Sequence, residues 1–248
     1  MKNLLLTSFL LSLALFSSSA QAQNSDTYST ERGDLTVHPI NHGSLAFTFD
    51  EKTIFVDPFG GADLYSKFEA PDIIFLTDIH GDHLNPETLT ELDTENTTFV
   101  VPMAVAQELN VTHEKIVVIQ NGNSTIVNEI PVSAIPMYNL PVDDPESRHP
   151  KGRGNGYLID FGGKVVYISG DTEDIPEMRV LEGIDIAFVC MNLPYTMDVN
   201  QAADAVIDFQ PAVVYPYHHR GQDIQEFKNL VDAADVDVRV KLRDWYPE

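Results

Sequence analysis

The sequence predicts an α/β fold in which helices cover β-sheet, and three observations predict it. Short apolar runs rich in Ile, Val, Phe and Tyr recur from Leu35 onward, usually punctuated by Gly, Asn or Asp. Segments with helix start signals interleave with those runs. No low-complexity linker and no internal repeat divides the 248 residues, so the expected unit is one domain over 35–248.

The elements follow in order. Residues 1–22 read as an export signal: Lys2 is a positive start, 4–16 is an apolar stretch broken only by hydroxyl residues, and Ala20-Gln21-Ala22 supplies a small-residue cleavage site. The apolar run falls short of the roughly 20 residues that span a bilayer, and no later segment is long or apolar enough to do so. The expected mature protein is therefore exported, to a bacterial periplasm. Polar residues over 23–34 read as a flexible leader. Strands are expected over 45–49, 53–56, 73–76, 98–101, 116–119, 132–137, 157–161, 165–168, 184–189, 213–215 and 236–240. Asn85, Pro86 and Glu87 make a cap, first position and first turn of a helix. Asp198 and Gln201 form a capping-box pattern, and Ala202, Ala205, Val206 and Phe209 then fall on one helical stripe. A further helix is expected over 224–234, and the tail is expected to dock Trp245 against the body.

Composition narrows the partners. Fifteen Lys+Arg against 38 Asp+Glu give a formal charge of −23, which repels nucleic-acid phosphate and anionic lipid. The 43% hydrophobic fraction is that of a globular protein. Cys190 is the only cysteine, so no intrachain disulfide and no cysteine-built zinc site exists. Its run, Ile-Ala-Phe-Val-Cys, reads as core.

Chemistry gathers where strands end. The run 53–56 leads into Asp57, and 73–76 into Thr77-Asp78-Ile79-His80-Gly81-Asp82-His83. The run 165–168 leads into Ser169-Gly170-Asp171-Thr172, and 213–215 into Pro216-Tyr217-His218-His219. C-terminal strand ends in α/β folds converge on one cleft. Asp78, His80, Asp82 and His83 lie within six positions, between a strand and a capped helix. A carboxylate–imidazole cluster this dense points to divalent metal rather than to a polar turn.

Asp78–His83 resembles the H-x-H-x-D-H signature of the metallo-β-lactamase superfamily, with Asp78 in place of the first histidine. Asn41-His42-Gly43-Ser44 and Val56-Asp57-Pro58 resemble that family's opening hairpins, Ser169–Thr172 its G-D-T segment and Pro216-Tyr217-His218 its closing P-x-H. Asn192-Leu-Pro-Tyr-Thr-Met197 with Ala202-Ala203 is similar to the ascorbate-6-phosphate lactonase-like, metal-dependent hydrolase branch. The resemblance implies a four-layer αββα sandwich with metal at one sheet edge. It implies Asp78, His80 and His149 on one ion, Asp82, His83 and His218 on the other, and Asp171 bridging. Zinc, manganese or iron are the ions in question. The carboxylate at Asp78 favours the latter two, or weakens the first site and leaves one ion.

A metal-activated hydroxide cleaving an ester, lactone or phosphodiester bond is the expected reaction, with Asp82 and His219 as catalytic residues. Asp57 is expected to orient a ligand imidazole, or else only to turn the chain before Pro58. His42 is expected near the cleft in the same supporting role, or as a tie between strands. Lys151 and Arg153, in a basic Gly-rich loop, are expected to hold a substrate phosphate or carboxylate, or to neutralise neighbouring acids. Tyr195 and Arg220 complete the expected substrate contacts, which suit a small molecule, one with an anionic group among the options. The alternatives are a non-catalytic metal-binding protein on the same fold and a β-lactamase. The oligomeric state is open.

Overall fold

The computed structural model describes residues 25–111 and 115–246. The export segment over 1–22 lies outside them, as do the first two residues of the expected leader. The described residues form two seven-stranded sheets, and in each the spatial order of strands is their order in the chain. The first holds β1 (Asp26–Thr30), β2 (Gly33–Asn41), β3 (Ser44–Phe49), β4 (Lys52–Val56), β5 (Ile73–Phe75), β6 (Thr98–Val101) and β7 (Ile116–Val118). The second holds β8 (Ser124–Val127), β9 (Ile130–Met137), β10 (Gly154–Asp160), β11 (Val165–Ile168), β12 (Ile186–Cys190), β13 (Val213–Tyr217) and β14 (Arg239–Val240).

Each sheet begins antiparallel and ends parallel. The first changes at β4, the second at β11. Parallel neighbours need crossovers. Helices α1 (Pro86–Glu91) and α2 (Met103–Glu108) lie in those of the first sheet, and α3 (Pro176–Arg179), α4 (Val199–Phe209) and α5 (Ile224–Ala233) in those of the second. Asn85 caps α1 through Thr88 N–H, and Asp198 with Gln201 closes a capping box on α4.

Side-chain alternation then builds four layers. Leu45, Phe47, Ile54, Val56, Ile73 and Phe75 point into a core shared with Tyr157, Ile159, Ile168 and Phe188 of the second sheet. Their alternates Ala46, Phe55, Ile74 and Phe99 point the other way, onto Tyr65, Leu84 and Val105. Burial on both faces is why these strands read as unbroken apolar runs. The αββα sandwich is the observed architecture. No helix among the described residues is long and apolar enough to cross a membrane.

The leader expected over 23–34 is corrected by the strand pairing. From Asp26 the chain pairs along β2, with Asp26 opposite Val37 and Thr30 opposite Gly33. Asp26 accepts from Lys241 Nζ at 2.7 Å and Arg243 Nη2 at 2.6 Å, which ties the segment to the C-terminal tail. An edge strand half open to water tolerates a polar sequence, and this one alternates half-buried with exposed residues.

Candidate metal centre

The parallel strands set down their C-terminal ends at one edge of the sandwich. Asp57 follows β4 and Thr77-Asp78 follow β5, while Asp171, Asn192 and His218 follow β11, β12 and β13 or close β13's end. Asp57 and His218 both adopt positive φ, 44° and 48°, as the chain turns out of its strand. Two backbone bonds stitch the sheets together here: His218 N–H donates to His42 O at 3.1 Å, and Asn155 N–H to Thr77 O at 2.9 Å.

Three groups of ligand atoms converge, each within 4.8 Å. Asp78, His80 and His149 form one, His83, Asp171 and His218 a second, and His42, Asp82 and His218 a third. Asp171 joins the first two groups. Its Oδ2 lies 3.3 Å from both His83 Nε2 and His149 Nε2, and its Oδ1 lies 3.4 Å from His218 Nε2. His83 Nε2 and His218 Nε2 face one another at 3.3 Å.

These residues fit divalent metal on chemistry the structure shows. His149 Nε2 and Asp171 Oδ1 are buried with no hydrogen-bond partner, a state that costs about 1–3 kcal/mol per group unless something else satisfies it. The far nitrogens of the same imidazoles are held. His83 Nδ1 lies 2.8 Å from Asp57 Oδ2, and His149 Nδ1 lies 3.1 Å from Asn139 Oδ1. Donation through Nδ1 leaves each Nε2 lone pair aimed at the shared space. His218 Nδ1 lies 3.0 Å from the Asn192 amide nitrogen, while Asn192 Oδ1 is buried without a partner. With that amide end for end, Oδ1 accepts from His218 Nδ1–H and the third imidazole is set the same way.

Asp57 is itself fixed. Thr77 N–H donates to its Oδ1 at 2.8 Å and Thr77 Oγ1 to its Oδ2 at 2.6 Å. His42 is reached differently. Arg220 N–H donates to Tyr246 Oη at 2.6 Å, Tyr246 Oη lies 3.0 Å from His42 Nδ1, and His42 Nε2 lies 3.2 Å from Asp82 Oδ2. Burial lowers the His42 pKa and favours the neutral ring, for which the bonds run Arg220 N–H to Tyr246 O–H to His42 Nδ1, with His42 Nε2–H on Asp82. His42 then orients Asp82.

Charge follows this geometry. Burial works against ionised Asp82 and Asp171, but His218 with His42 on the former, and His218 with His83 on the latter, hold both well below the usual carboxylate range. Asp78 is brought down to about 2, against burial, by the bond to His80 and the charges of His83 and Arg153. Burial opposes charge on His83 too, yet Asp171 and Asp57 raise its pKa well above 6.5. The two carboxylates thus favour the protonated His83 ring over the neutral one where no ion is bound.

A cavity of about 570 Å³ opens onto the groups, with His42, His80, Asp82 and Asp171 in its wall. Of the expected substrate residues, Tyr195 and Arg220 line it. Lys151 and Arg153 are not among its lining residues, and each pairs with an acid, the second of the two roles expected of them. Arg153 grips buried Asp78, which needs a counter-ion, through Nε to Oδ1 at 3.1 Å and Nη2 to Oδ2 at 3.0 Å. Lys151 pairs with Glu177 at 2.6 Å on the surface. His219 does not take the catalytic place expected of it. It is buried edge-on to Tyr246, outside the cavity wall and all three ligand groups, and burial lowers its pKa.

Sequence reasoning passed over Arg148, Asn192 and Tyr246, which also line the cavity. Arg148 had a signal, its place beside His149. Tyr246 follows Trp245, which docks fully buried against Tyr217 and Phe188 and carries the tyrosine to the site.

Residues 36–218 match the model of the Beta-lactamase superfamily domain. A UPF0173 metal-dependent hydrolase of Thermococcus onnurineus is 30% identical over 212 residues, 78% of this chain and 92% of its own. One of Lysinibacillus sphaericus is 29% identical over 211 residues, 79% and 92%. A solved structure from Parabacteroides distasonis, described as a metal-dependent hydrolase, is 38% identical with a TM-score of 0.80, covering 90% of this chain and 99% of its own. The metallo hydrolase Igni18 of Ignicoccus hospitalis shares the fold at 22% identity and a TM-score of 0.72, over 86% and 96%. With the αββα layers, the edge cluster and a family match over 36–218 together, the chain belongs to the metallo-β-lactamase superfamily and is a metal-dependent hydrolase of it.

Proposed function

We propose that this hydrolase cleaves an ester, lactone or phosphodiester bond of a small molecule, using two divalent ions. The observation that carries the reading is Asp171, whose carboxylate stands between His149 on one side and His83 with His218 on the other. A bridging ligand between two imidazole-rich groups suits a pair of ions. Asp78, His80 and His149 would hold one, and Asp82, His83 and His218 the other, from among zinc, manganese and iron. Bound there, the ions supply Lewis acidity to the group under attack and lower the pKa of a water.

The chain's own residues prepare that chemistry. Asp57, Asn139 and Asn192 each fix one ligand ring from behind. Asp82, partly open to the cavity, stays ionised and is oriented by His42 Nε2–H. The closed apolar layers beneath keep water to the cavity side, where Tyr195, Arg148 and Arg220 meet the substrate. The reading includes export, supported by Lys2, the apolar run 4–16 and Ala20-Gln21-Ala22.

Elemental mass spectrometry on protein purified without chelator or histidine tag tests the metal count, alongside a panel of aryl esters, lactones and phosphodiesters. Near two equivalents with metal-dependent turnover is the expected result. About one equivalent would leave only the Asp82, His83 and His218 site loaded and would overturn the two-ion part of the reading. Turnover insensitive to chelation and metal return would sink the reading.

A further inference from the structure

In a chain with 38 acids and 15 Lys+Arg, a guanidinium in a cavity wall without a carboxylate partner is open to an anion from outside. Arg32 pairs with Asp50, Arg153 with Asp78, Arg179 with Asp174, Asp204 and Asp208, and Arg243 with Asp26. Among the described residues Arg148, Arg220 and Arg239 form no salt bridge, and of these Arg148 and Arg220 line the cavity over the ligand groups. They come from loops 72 positions apart in sequence yet meet on one side chain. Arg148 Cζ lies 4.7 Å and Arg220 Cζ 5.7 Å from the centroid of the Tyr195 ring. The carboxylates in the same wall, Asp82 and Asp171, both belong to ligand groups.

Tyr195 and Arg220 are held in place. Tyr195 N–H donates to Asn192 O at 2.8 Å, and Asn139 Nδ2 donates to Tyr195 O at 2.8 Å. Arg220 is anchored through its N–H on Tyr246 Oη. Asn139 and Asn192 are also the residues behind His149 and His218, so the aromatic platform and the ligand rings share supports. A guanidinium whose face lies on an aromatic ring keeps its N–H edge free for a planar or tetrahedral oxyanion. Elsewhere the negative surface repels anions, so an anionic substrate requires a local positive site such as this.

We propose that Arg148 and Arg220, stacked on Tyr195, recognise an oxyanion carried by the substrate away from its scissile bond, so that the substrate class is a small ester or lactone bearing a carboxylate or phosphate. The inference rests on the hydrolase reading above for its scissile bond, and on the cavity alone for its anion.

Calorimetric titration of the metal-loaded protein with non-hydrolysable probes tests it. The probes are N-phenylsuccinamate, 2-phenylethylphosphonate and neutral N-phenylbutyramide. At least one anionic probe binds about tenfold or more tighter than the neutral one, as charge-assisted hydrogen bonds require. That preference shrinks with salt, collapses in the Arg148→Gln/Arg220→Gln variant and survives in the Arg148→Lys/Arg220→Lys variant. Whichever anion binds more tightly names the group. Equal affinity for charged and neutral probes, or a preference untouched by the Gln double variant, overturns the proposal. Turnover of 4-nitrophenyl hemisuccinate and butyrate is read separately. Anion binding without turnover would remove the ester reading and leave the anion site standing.

Discussion

Arg153 and Asp78 meet through two hydrogen bonds, Nε to Oδ1 and Nη2 to Oδ2, so this buried carboxylate brings its own counter-ion. Asp78 is fully buried and His80 Nδ1 lies 2.5 Å from its Oδ2. A cation entering this group therefore competes with a guanidinium already in place. The group is neutralised before any ion arrives, which makes it the weaker of the two proposed sites.

Arg153→Met tests that competition. Breaking a buried pair costs about 3–5 kcal/mol, and the partial exposure of Arg153 reduces this, so the metal-free variant is expected to lose about 2 kcal/mol. Divalent manganese is expected to restore the variant's urea midpoint by more than it raises that of the unaltered protein. An equal response of both proteins to the ion would show that Arg153 and metal do not compete.

Protons compete with metal at His83. Its folded pKa is raised by Asp171 and Asp57, so its stabilising contribution in metal-free protein is complete below 6.5 and is lost as pH rises through the raised value. Asp78 acts in the opposite sense: lowered from 3.8 to about 2, it contributes above 3.8 and fails as pH falls through that interval. Metal-free protein is thus expected to be most stable in the mildly acidic range. Because an ion must displace the His83 proton, apparent affinity is expected to rise by about tenfold per pH unit near neutrality. Competition against a chromophoric chelator at pH 6, 7 and 8 reads this directly. A flat profile would mean His83 enters the folded state unprotonated.

What could be read from residues depended on burial. Strands β3 to β6 and β10 to β13 are buried on both faces and announce themselves as apolar runs. β1 and β8 lie at sheet edges, half open to water, and their Asp-Thr-Tyr-Ser-Thr and Ser-Thr-Ile-Val carry little pattern. Helices α1, α4 and α5 start on Asn85, Asp198 and Asp223, whose side chains accept from their first turns. Helices α2 and α3 start on Pro102 and Ile175 with no side-chain cap; α3 offers only Pro176 at its first position and Glu177 in its first turn, a signal too short to mark a helix of four residues. At the site, Asp78–His83 is local and legible, while His149, Asp171 and His218 needed the family likeness to join it. The loop holding Arg148 and Arg153 shows the limit. Two arginines five positions apart take opposite roles, because one reaches a carboxylate 75 positions away and the other turns to Tyr195.

Gly43 keeps space for His218. A Cβ there would lie 2.7 Å from His218 Cδ2, and the ring cannot yield, since it is fully buried between His83 and His42 with centroids at 5.1 and 3.9 Å. Gly43→Ala is expected to cost about 1–3 kcal/mol of stability and at least about tenfold in metal affinity. Unchanged metal titration in a destabilised variant would place the strain in the β2–β3 turn rather than on the ligand.

Tyr246 links the C-terminal tail to both halves of the chemistry. Its hydroxyl accepts from Arg220 N–H and donates to His42 Nδ1, whose Nε2–H meets Asp82. One oxygen therefore sets the loop that carries an anion-binding guanidinium and the ring that orients a metal-site carboxylate. Tyr246→Phe keeps the ring that packs against His42 and His219 but leaves the Arg220 N–H and His42 Nδ1 without this partner. Loss of the two bonds is expected to cost about 1–3 kcal/mol of stability. Two kinetic effects should separate. Freed from Nδ1, His42 no longer holds Asp82, which lowers kcat on neutral and anionic esters alike. The slackened Arg220 loop raises KM on the anionic ester only. A variant with lower melting temperature but both kinetic constants unchanged would reduce Tyr246 to a packing residue, and would cut the connection between Arg220, His42 and Asp82 that the hydrogen bonds describe.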